Sequence, residues 1–504
     1  MARTDRRVAI AIDAGTSGAR AVAVDLRGRV IAHASRPYPI SIPRPGWAEQ
    51  DAQDWIDKAL ESLGALARDI RSSRTVVAIG LTGQCPTVAP FDRRGRPVGP
   101  GMMYRDNRAA AEAAQMRKRV GVQRMHRLTG HVAEAFHVGP KVLWLRSHAP
   151  DVFKATTRFL QPRDVVLKQL VGIELTDETH ANATLFYDLR RRCWSGELLA
   201  AFDLRQSVFP EAVPPWTVAG HLSARMARDL GLQRVPVVVG AADSQCAAFG
   251  AGATVPGPVS EMAGASTCIN STVAKPVLDF EVTHYSHAVP GFYCTEVGLN
   301  SAGAALDWGR QRLGYASHAV LEARATAFRA RWRRSGQPVE AREQAPLFLP
   351  YLGDGERVDP TIRAAFVGLS ARDDSASLAY SVIEGVALAV RNIVAVLQRA
   401  GCPLDELRCS GGGARHRLLA QIKADLLDVP VLMLQDDATA VGCALLAASA
   451  AGLGEEVDAA VAAVLRRAVR VEPDPWAVEV MRARAEWFEQ VLPSPAIRTA
   501  VDPS

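Results

Sequence analysis

Short runs of apolar residues that end at small residues recur along the chain and predict β-strands. The first two runs, VAIAID and RAVAVD, flank the turn AGTSGA, and VIAHAS follows, so the N-terminus is predicted to form a strand meander. Two later runs, TVVAIGLTG and VPVVVG, predict further strands. Residues 260–274 (SEMAGASTCINSTVA) repeat the order of strand, small-residue turn and strand. This repetition indicates two halves built on one plan.

Longer segments with apolar residues at helical spacing predict helices between the strands. These helices are predicted over residues 53–70, 108–120, 139–147 and 474–492. A strong amphipathic helix follows the glycine triplet at 411–413. Proline and glycine cluster at 253–260, which suits a domain boundary. We therefore expect an α/β protein with one domain over residues 1–254 and a second over 255–504.

Composition narrows the class of protein. A chain of 504 residues is too long for one hydrophobic core, and 48% hydrophobic residues are ordinary for a soluble globular protein. The net charge of +6 is spread thinly and no basic stretch is interleaved with aromatic residues, so no nucleic-acid partner is expected. The longest apolar stretch, residues 440–454, is too short and too rich in Ala and Gly to span a bilayer, so no membrane partner is expected.

The N-terminus and the cysteines favour a cytoplasmic location. The first apolar run is interrupted by Asp13 and has no cleavage site after it, so it is predicted to be a strand and not a signal peptide. The eight cysteines are scattered without a CxxC pair, which indicates neither a disulfide framework nor a zinc site. All eight are expected to be buried or partly buried thiols.

Two carboxylates stand at predicted strand ends beside small residues. Asp13 closes VAIAID, and Asp243 follows VPVVVG at the mouth of a predicted helix. Phosphoryl transfer requires such acids, because one can hold a metal ion while the other takes a proton from an attacking hydroxyl. The glycine- and hydroxyl-rich turn at 15–18 can bind phosphate, although an ordinary hairpin turn fits these residues equally well. The glycine triplet at 411–413 likewise fits either close approach of a ligand or a closely packed loop.

These and further motifs resemble the FGGY carbohydrate kinases, and within that family the xylulokinase-like branch. Eight segments carry the resemblance, in the family's order and over nearly the whole chain. They are DAGTSGARAVAVD, GWAEQDAQDW, GLTGQCPTVAPFDRRGRPVGPGMMYRDNRA, GAADSQCAAFGAGA, NSAGAALDW, FLPYLGDGERVDP, AAFVGLS with SLAYSVIEG, and SGGGARHRLLAQIKADLLDVPV. The resemblance implies two ribonuclease-H-like domains of the actin/hexokinase type, with ATP and a sugar meeting in the cleft between them.

The resemblance also implies roles for individual residues. Asp243 would be the general base, and Asp13 would lie beside the phosphates of Mg–ATP and hold the Mg²⁺ ion. The residues implied in ATP binding are Gly15, Thr16, Ser17, Gly264, Ala265, Ser266, Gly303, Gly411, Gly412, Gly413 and Arg417. Ala265 stands where the family usually has Thr, which removes one hydroxyl contact to phosphate. The residues implied in sugar binding are Gln84, Cys85, Pro86, Thr87, Tyr104, Asp106, Arg108, Phe136, Ser244 and Gln245.

The chain departs from the family pattern in the sugar segment. Xylulokinases typically read GQMHG there, with a Met–His pair that contacts the ketose, whereas this chain has Cys85 and Pro86. These two residues fit filler in a tight turn as well as a direct ligand role. Asp106, oriented by Arg108, would accept from sugar hydroxyls, and a surface ion pair is the alternative. Ser377 stands where a family signature has an amide, an acid or His, and it is placed on a surface helix.

The expected reaction is transfer of the γ-phosphate of ATP to a hydroxyl of a ketopentose, with D-xylulose as the family default. Because the Met–His pair is gone, D-ribulose, another ketose or a small polyol is the alternative substrate. Two other classes of protein stay open: a sensor that binds sugar or ATP without turnover, and an actin- or chaperone-like ATPase acting on protein. Sugar-dependent ADP release separates these classes from a kinase. The oligomeric state is left open, with a homodimer as one possibility.

Overall fold

The computed structural model describes residues 6–277, 279–334, 345–353, 356, 359, 361–494 and 498. The chain divides into two compact units. The first unit consists of Met1–Thr254, Val273–Thr295 and Asp436–Arg466, and the second of Val255–Thr272, Glu296–Gln435 and Arg467–Ser504. Two segments that follow residue 254 in the sequence are thus part of the first unit. Of the motif FLPYLGDGERVDP, residues 354, 355, 357, 358 and 360 lie outside the described residues.

Strands and helices are numbered in chain order within the described residues. The strands are β1 (Arg7–Ala14), β2 (Gly18–Asp25), β3 (Val30–Pro37), β4 (Glu49–Gln50), β5 (Thr75–Gly83), β6 (Ala89–Phe91), β7 (Gly101–Met102), β8 (Arg158–Leu160), β9 (Leu175–Asp177), β10 (Tyr187–Asp188), β11 (Cys193–Trp194), β12 (Glu211–Val213), β13 (Val218–His221), β14 (Pro236–Val238), β15 (Gly257–Ala263), β16 (Thr267–Val273), β17 (Thr283–Ser286), β18 (Tyr293–Leu299), β19 (Leu347–Leu349), β20 (Ala365–Val367), β21 (Leu404–Ser410), β22 (Val431–Met433) and β23 (Val469–Val471).

The helices follow the same numbering. They are α1 (Ala52–Ile70), α2 (Ala110–Val120), α3 (Val122–Thr129), α4 (Val138–His148), α5 (Pro150–Ala155), α6 (Pro162–Val171), α7 (Glu178–Asn182), α8 (Gly196–Ala201), α9 (Ala224–Leu230), α10 (Asp243–Gly250), α11 (Gly303–Arg312), α12 (His318–Arg334), α13 (Ser375–Arg399), α14 (Arg417–Leu427), α15 (Ala438–Ala450), α16 (Gly454–Arg467) and α17 (Pro475–Val491). Short 3-10 helices lie at Gln206–Val208 and Gly412–Arg415. The strands and helices predicted from the sequence are confirmed to within a few residues at their ends.

The main sheet of the first unit has the strand order β13-β14-β5-β1-β2-β3. Strands β1, β2 and β3 form the predicted antiparallel meander, whereas β5 pairs with β1, and β14 with β5, in parallel. Parallel strands end at the same edge of a sheet, and that edge is where ligands bind in open α/β sheets. Asp13, Gln84 and the segment that leads into α10 therefore all leave the sheet at this edge.

Helix α1 covers β2 and β3 with an amphipathic face. Asp51 caps its N-terminus by accepting from Gln53 N–H at 2.8 Å, and Trp55 and Leu63 are fully buried against the sheet. Helix α15, built largely from small residues, packs against β1 and β5. A Cβ on Gly442 would lie 1.8 Å from the carbonyl oxygen of Cys246, so only glycine lets α15 approach α10 this closely. The position of α10 is thus fixed by backbone-to-backbone packing.

A second sheet has the order β17-β18-β16-β15-β21-β22-β23. Strands β15 and β16 pair antiparallel, while β15 with β21 and β21 with β22 pair in parallel. Its five inner strands, in the order β18-β16-β15-β21-β22, repeat the order β3-β2-β1-β5-β14 of the first sheet. The two halves share one plan, the ribonuclease-H-like arrangement that the sequence predicts.

Two expectations about exposure are wrong. Ser377 is 2% exposed on α13, which is a core helix and not a surface helix. By length and composition this helix could cross a membrane, but 78% of its most apolar window is buried inside the structure, as in a soluble core. Cys193 is exposed, because it lies in the short hairpin strand β11, whereas the other seven cysteines are buried or partly buried thiols.

Candidate active site

Asp13 lies at the carboxyl end of β1, opposite Arg20 of β2. Its side chain is buried, and Arg20 donates to its Oδ2 from Nη2 at 2.6 Å and from Nε at 3.1 Å. Arg20 also donates from Nη1 to Asp437 Oδ2 at 2.6 Å, and the Asp13 carboxylate is the largest cause of the raised pKa of Arg20. Asp13 Oδ1 is buried and has no hydrogen-bond partner among the described residues. One carboxylate oxygen is therefore fixed by arginine, while the other can accept from water or bind a cation.

The turn after Asp13 is stabilised by hydrogen bonds to its backbone carbonyl oxygens. Gly15 N–H donates to Gly18 O at 3.1 Å, which closes the turn, and Gln50 Nε2 donates to Thr16 O at 2.7 Å. Ser17 is exposed at the tip. With these carbonyls engaged on the protein side, the turn can offer hydroxyls and N–H groups to an anion.

Gln84 and Thr87 are buried behind this turn, with 1% and 0% exposure. Gln84 Nε2 donates to Gln50 Oε1 at 2.7 Å, and Thr87 Oγ1 donates to Gln84 Oε1 at 3.2 Å. Thr87 Oγ1 also accepts from Tyr104 N–H at 3.1 Å. Gln84 and Thr87 thus connect two segments. Gln84 reaches the turn at 15–18 through Gln50, and Thr87 reaches the segment that carries Tyr104.

Asp106 and Arg108 form a buried ion pair, so the alternative of a surface pair is wrong. Arg108 Nη2 donates to Asp106 Oδ2 at 2.6 Å and lies 2.7 Å from Glu49 Oε1, and Ala48 N–H donates to Asp106 Oδ2 at 2.7 Å. The guanidinium stacks 3.6 Å above the ring centroid of Trp47, which covers it. The pair therefore joins the GWAEQD motif to the segment at 104–108.

Lys141 of α4 is a site residue that the sequence analysis missed. It is fully buried, and its Nζ donates to the carbonyl oxygens of Pro86 at 3.1 Å, Met103 at 2.7 Å and Phe136 at 2.6 Å. Burial lowers the pKa of Lys141 to about 7, against the attraction of Asp106. These three carbonyls belong to three separate segments that carry predicted sugar-binding residues, so one lysine fixes all three.

The half-buried Cys85 packs against an apolar cluster that includes Ala183 and Tyr285. Tyr285 lies on β17, in the segment Val273–Thr295 that belongs to the first unit. Phe136 is half-buried and stacks on His137 with ring centroids 4.1 Å apart. Cys85 and Phe136 are thus partly accessible, unlike Gln84 and Thr87.

Asp243 is the first residue of α10, as predicted, and is half-buried. Its Oδ1 accepts from Ser244 N–H at 2.8 Å, and the positive end of the helix dipole favours an ionised carboxylate at this position. Gln245, two residues after Asp243, is buried and donates from Nε2 to Ser244 Oγ at 3.2 Å. Its Oε1 has no hydrogen-bond partner among the described residues. A carboxylate held at a helix start can accept a proton from a hydroxyl within hydrogen-bond reach.

The second unit has its own glycine turn between β15 and β16. Gly264 N–H donates to Ser266 O at 2.9 Å, and Ala304 N–H of α11 donates to Ala265 O at 3.0 Å. A Cβ on Gly303 would lie 2.3 Å from Gly264 O, so α11 can start against this turn only with glycine there. Gly303 is therefore required by packing.

Of the two interpretations of the glycine triplet, close packing holds for Gly411, while an approach of a ligand to the triplet stays a prediction. Gly411 has φ +83°, and a Cβ there would lie 2.6 Å from the carbonyl oxygen of Ala263, so it is required by backbone packing. Gly412, in contrast, has open space beside it and is exposed. Arg417 is exposed at the first position of α14. Gly411 thus packs the loop against β15, and the space beside Gly412 stays open.

Sequence reasoning missed several residues of these networks, and four of them differ in how much signal the sequence holds. Arg20 could have been found, because the six-residue turn AGTSGA places it opposite Asp13 in a hairpin. Lys141 could have been noticed as the one charge inside the apolar run of α4. Gln50 lies in a quoted motif but has no local signal of its role. Asp437 is far from Asp13 in the sequence, so only the fold brings them together.

Two ribonuclease-H-like sheets, each with a small-residue turn after its first strand, define a two-domain phosphotransferase fold of the actin/hexokinase-like type. Residues 8–250 match the N-terminal domain of the FGGY family of carbohydrate kinases, and residues 260–451 match its C-terminal domain. The chain belongs to the FGGY family. It is a carbohydrate kinase, an enzyme that takes its phosphoryl group from ATP.

Named relatives agree with this assignment. The chain is 31% identical to a xylulose kinase from Klebsiella pneumoniae over 83% of this chain and 84% of that protein. It is 29% identical to a glycerol kinase from Bordetella parapertussis over 96% of each chain. The crystal structure of xylulose kinase from Rhodospirillum rubrum, 32% identical, superposes with a TM-score of 0.85 over 97% of this chain and 99% of that one.

Proposed function

We propose that this kinase transfers the γ-phosphate of ATP to a hydroxyl of a ketopentose, with D-xylulose as the leading substrate. The observation that carries the proposal is the half-buried carboxylate of Asp243 at the start of α10, on the sheet edge that also carries Asp13. The relatives named xylulose kinase support the substrate. The relative named glycerol kinase keeps a small polyol as the alternative, beside D-ribulose or another ketose.

Asp243 acts as the general base in this proposal. Its carboxylate accepts the proton of the attacking sugar hydroxyl, and the loose transition state of phosphoryl transfer leaves positioning and charge neutralisation as the main work of the protein. The positive end of the α10 dipole favours negative charge at this position, which suits a carboxylate that acts as the proton acceptor. Ser244 and Gln245 lie beside it as sugar-binding residues.

Asp13 fits a role beside Mg–ATP. Its buried Oδ1 is unpaired among the described residues, while Arg20 fixes Oδ2, so one oxygen is oriented for a cation or for a metal-bound water. Mg²⁺ keeps several waters and needs few protein ligands, and when bound it neutralises charge on the β- and γ-phosphates. Gly15, Thr16 and Ser17 would contact the phosphates through the turn.

The second unit supplies the remaining ATP contacts in this proposal. The turn at 264–266 and the start of α11 at Gly303 form one such surface, and the open position beside Gly412 with Arg417 forms the adenosine side. The sequence span 1–254 then carries the sugar site, the phosphate turn and the base, and 255–504 carries the adenosine site. A cytoplasmic location and a homodimer stay predictions, as does the absence of nucleic-acid and membrane partners.

The predicted sugar-binding residues differ in exposure and in their side-chain partners. We propose that the half-buried residues Cys85, Tyr104 and Phe136 face the sugar, together with the buried Pro86 that follows Cys85. The other predicted residues hold the backbone of the pocket, since their side chains are already engaged with one another; they are Gln84, Thr87, Asp106 and Arg108. This pocket has Cys and Pro where xylulokinases have Met and His. It therefore offers the sugar fewer polar groups for hydrogen bonding.

A panel assay tests this proposal. ADP release at fixed Mg–ATP is measured with D-xylulose, D-ribulose, glycerol and erythritol, for the wild-type enzyme and Asp243→Asn. We expect sugar-dependent turnover that falls about 10²-fold or more in the variant, the usual size of a lost general base, with unchanged ATP affinity. ATP binding without turnover on any acceptor would favour a sensor, and ATP hydrolysis without sugar would favour an ATPase. Near-full turnover in Asp243→Asn would remove Asp243 as the base.

A further inference from the structure

A group of fully buried ionic side chains lies in the first unit on α6 and around the start of α7. Arg163 donates to Asp164, its Nε lies 3.2 Å from Asp177 Oδ2, and His180 Nδ1 lies 2.5 Å from the same oxygen. All four side chains are at most 2% exposed. Burial opposes ionisation of Asp177, but His180 and Arg163 outweigh it and lower the pKa of Asp177 to about 2. The lowered pKa favours the carboxylate form of Asp177 at neutral pH.

This ionic group is connected by hydrogen bonds to the backbone that carries Asp243. Asp177 Oδ1 accepts from Thr179 N–H at 2.7 Å and from the Thr179 hydroxyl. The same hydroxyl oxygen accepts from the N–H of Ala242 at 2.8 Å. Ala242 is the N-cap residue of α10 and directly precedes Asp243.

The direction of these bonds is determined by chemistry. A carboxylate has only acceptors, so the Thr179 proton must point to Asp177, and the oxygen lone pair is left for Ala242. Arg163 meanwhile donates from Nη1 to the carbonyl oxygen of Val239 at 2.9 Å. Both ends of the link at 239–242, between β14 and α10, are thus held by the same buried group.

We propose that Arg163, Asp177 and Thr179 are positioning residues that set the location of the Asp243 carboxylate, an inference that rests on the proposed role of Asp243 as the base. The charge on Asp177 polarises the Thr179 hydroxyl and makes it a stronger acceptor for the N–H at the start of α10. None of the three side chains is exposed, so their effect on the reaction passes through the backbone at 239–243.

Thr179 offers the sharpest test, because removing Arg163 or Asp177 would leave an unpaired buried charge and risk unfolding. Thr179→Val keeps the shape but leaves Ala242 N–H without this acceptor, whereas Thr179→Ser keeps the hydroxyl. We expect kcat of sugar phosphorylation to fall roughly 10- to 100-fold in Thr179→Val, since small misplacements of a catalytic group have effects of this size. The KM values for sugar and ATP should change by less than about threefold, and Thr179→Ser should restore kcat.

A matched control lies in the same segment. Thr184 is also buried, and its hydroxyl donates to Ala181 O at 2.6 Å and accepts from Phe186 N–H at 3.1 Å, without a bond to α10. Thr184→Val should lower the melting temperature by a similar amount and leave kcat unchanged. An unchanged kcat in Thr179→Val, equal losses in the Val and Ser variants, or an equal loss in Thr184→Val would each overturn the inference. If Asp243→Asn also retains turnover, the proposed base itself is wrong; if only Thr179→Val retains it, the positioning role alone fails.

Discussion

Replacing Lys141 with methionine tests how the sugar-site segments are held together. The Nζ of Lys141 lies within hydrogen-bond distance of three carbonyl oxygens, those of Pro86, Met103 and Phe136, and its protonated form can donate to all three. Lys141→Met keeps the length and apolar stem of the side chain and removes all three donors. It also removes a buried group that titrates near neutral pH.

The size of the effect follows from linkage. Burial lowers the pKa of Lys141 to about 7 in the folded protein, from the value of 10.5 that is usual for lysine and applies to the unfolded chain. Between these values the unfolded chain binds one proton more than the folded protein, so the free energy of unfolding rises with pH, at about 1.4 kcal/mol per pH unit. From pH 7.5 to 9.5 the wild-type protein should therefore gain about 2.5 kcal/mol relative to Lys141→Met, because the variant lacks this titration.

Urea unfolding followed by tryptophan fluorescence at several pH values measures this difference, since groups common to both proteins cancel. Lys168→Met is the control for removing a lysine charge, because Lys168 is half-buried and pairs with Glu174 at 2.6 Å. We also expect the KM for sugar to rise in Lys141→Met, as three pocket segments lose a common donor. A stability difference that stays constant from pH 7.5 to 9.5 would refute the lowered pKa, and an unchanged KM would refute the positioning role.

Two further predictions concern the ligands. Asp13→Ala should lower kcat/KM for Mg–ATP by about 10²-fold or more, since it removes the oriented oxygen beside the phosphates, while sugar affinity measured by calorimetry without nucleotide should be nearly unchanged; equal loss of sugar affinity would place Asp13 elsewhere. Restoring the family pair by Cys85→Met with Pro86→His should shift kcat/KM towards D-xylulose across the acceptor panel, because a site that pairs a substrate hydroxyl discriminates strongly. A wild-type preference for D-xylulose above about a hundredfold, unchanged by the double substitution, would contradict this reasoning.

The sequence predicts those parts of the structure that depend on local pattern. β-Branched runs ending at glycine predict β5 and β14, and the turn AGTSGA predicts the first hairpin. The same local pattern predicts Asp243 at a helix start, since strand, small residues and helix follow one another within a few residues. A carboxylate in such a position is recognisable without knowledge of the rest of the fold.

Contacts between distant segments could not be predicted in this way. Asp437 reaches Arg20 only because α15 returns to β1 and β5. For Asp106 and Arg108 the sequence leaves a surface ion pair as the alternative to sugar binding, because two charges at close spacing are usually solvated. Their burial depends on Trp47, a residue some sixty positions earlier in the chain. Ser377 was misplaced because a polar residue near a helix start gives no sign that the helix enters a core.

The repeated plan of the two units does not repeat their chemistry. In the first sheet, β1 ends with Asp13-Ala14 and Gly15 follows. At the corresponding place in the second sheet, β15 ends with Met262-Ala263 and Gly264 follows. Methionine thus stands where the first sheet has the acid that we propose to lie beside the metal ion. The acid one residue earlier, Glu261, is buried and is neutralised by Lys423 Nζ at 2.6 Å, which leaves it no role beside a phosphate. In the proposed function, the second turn would therefore contact phosphate through backbone N–H groups and the Ser266 hydroxyl, whereas the first turn adds the Asp13 carboxylate for a cation. The same backbone arrangement would then serve a metal-bound phosphate in the first unit and a phosphate alone in the second.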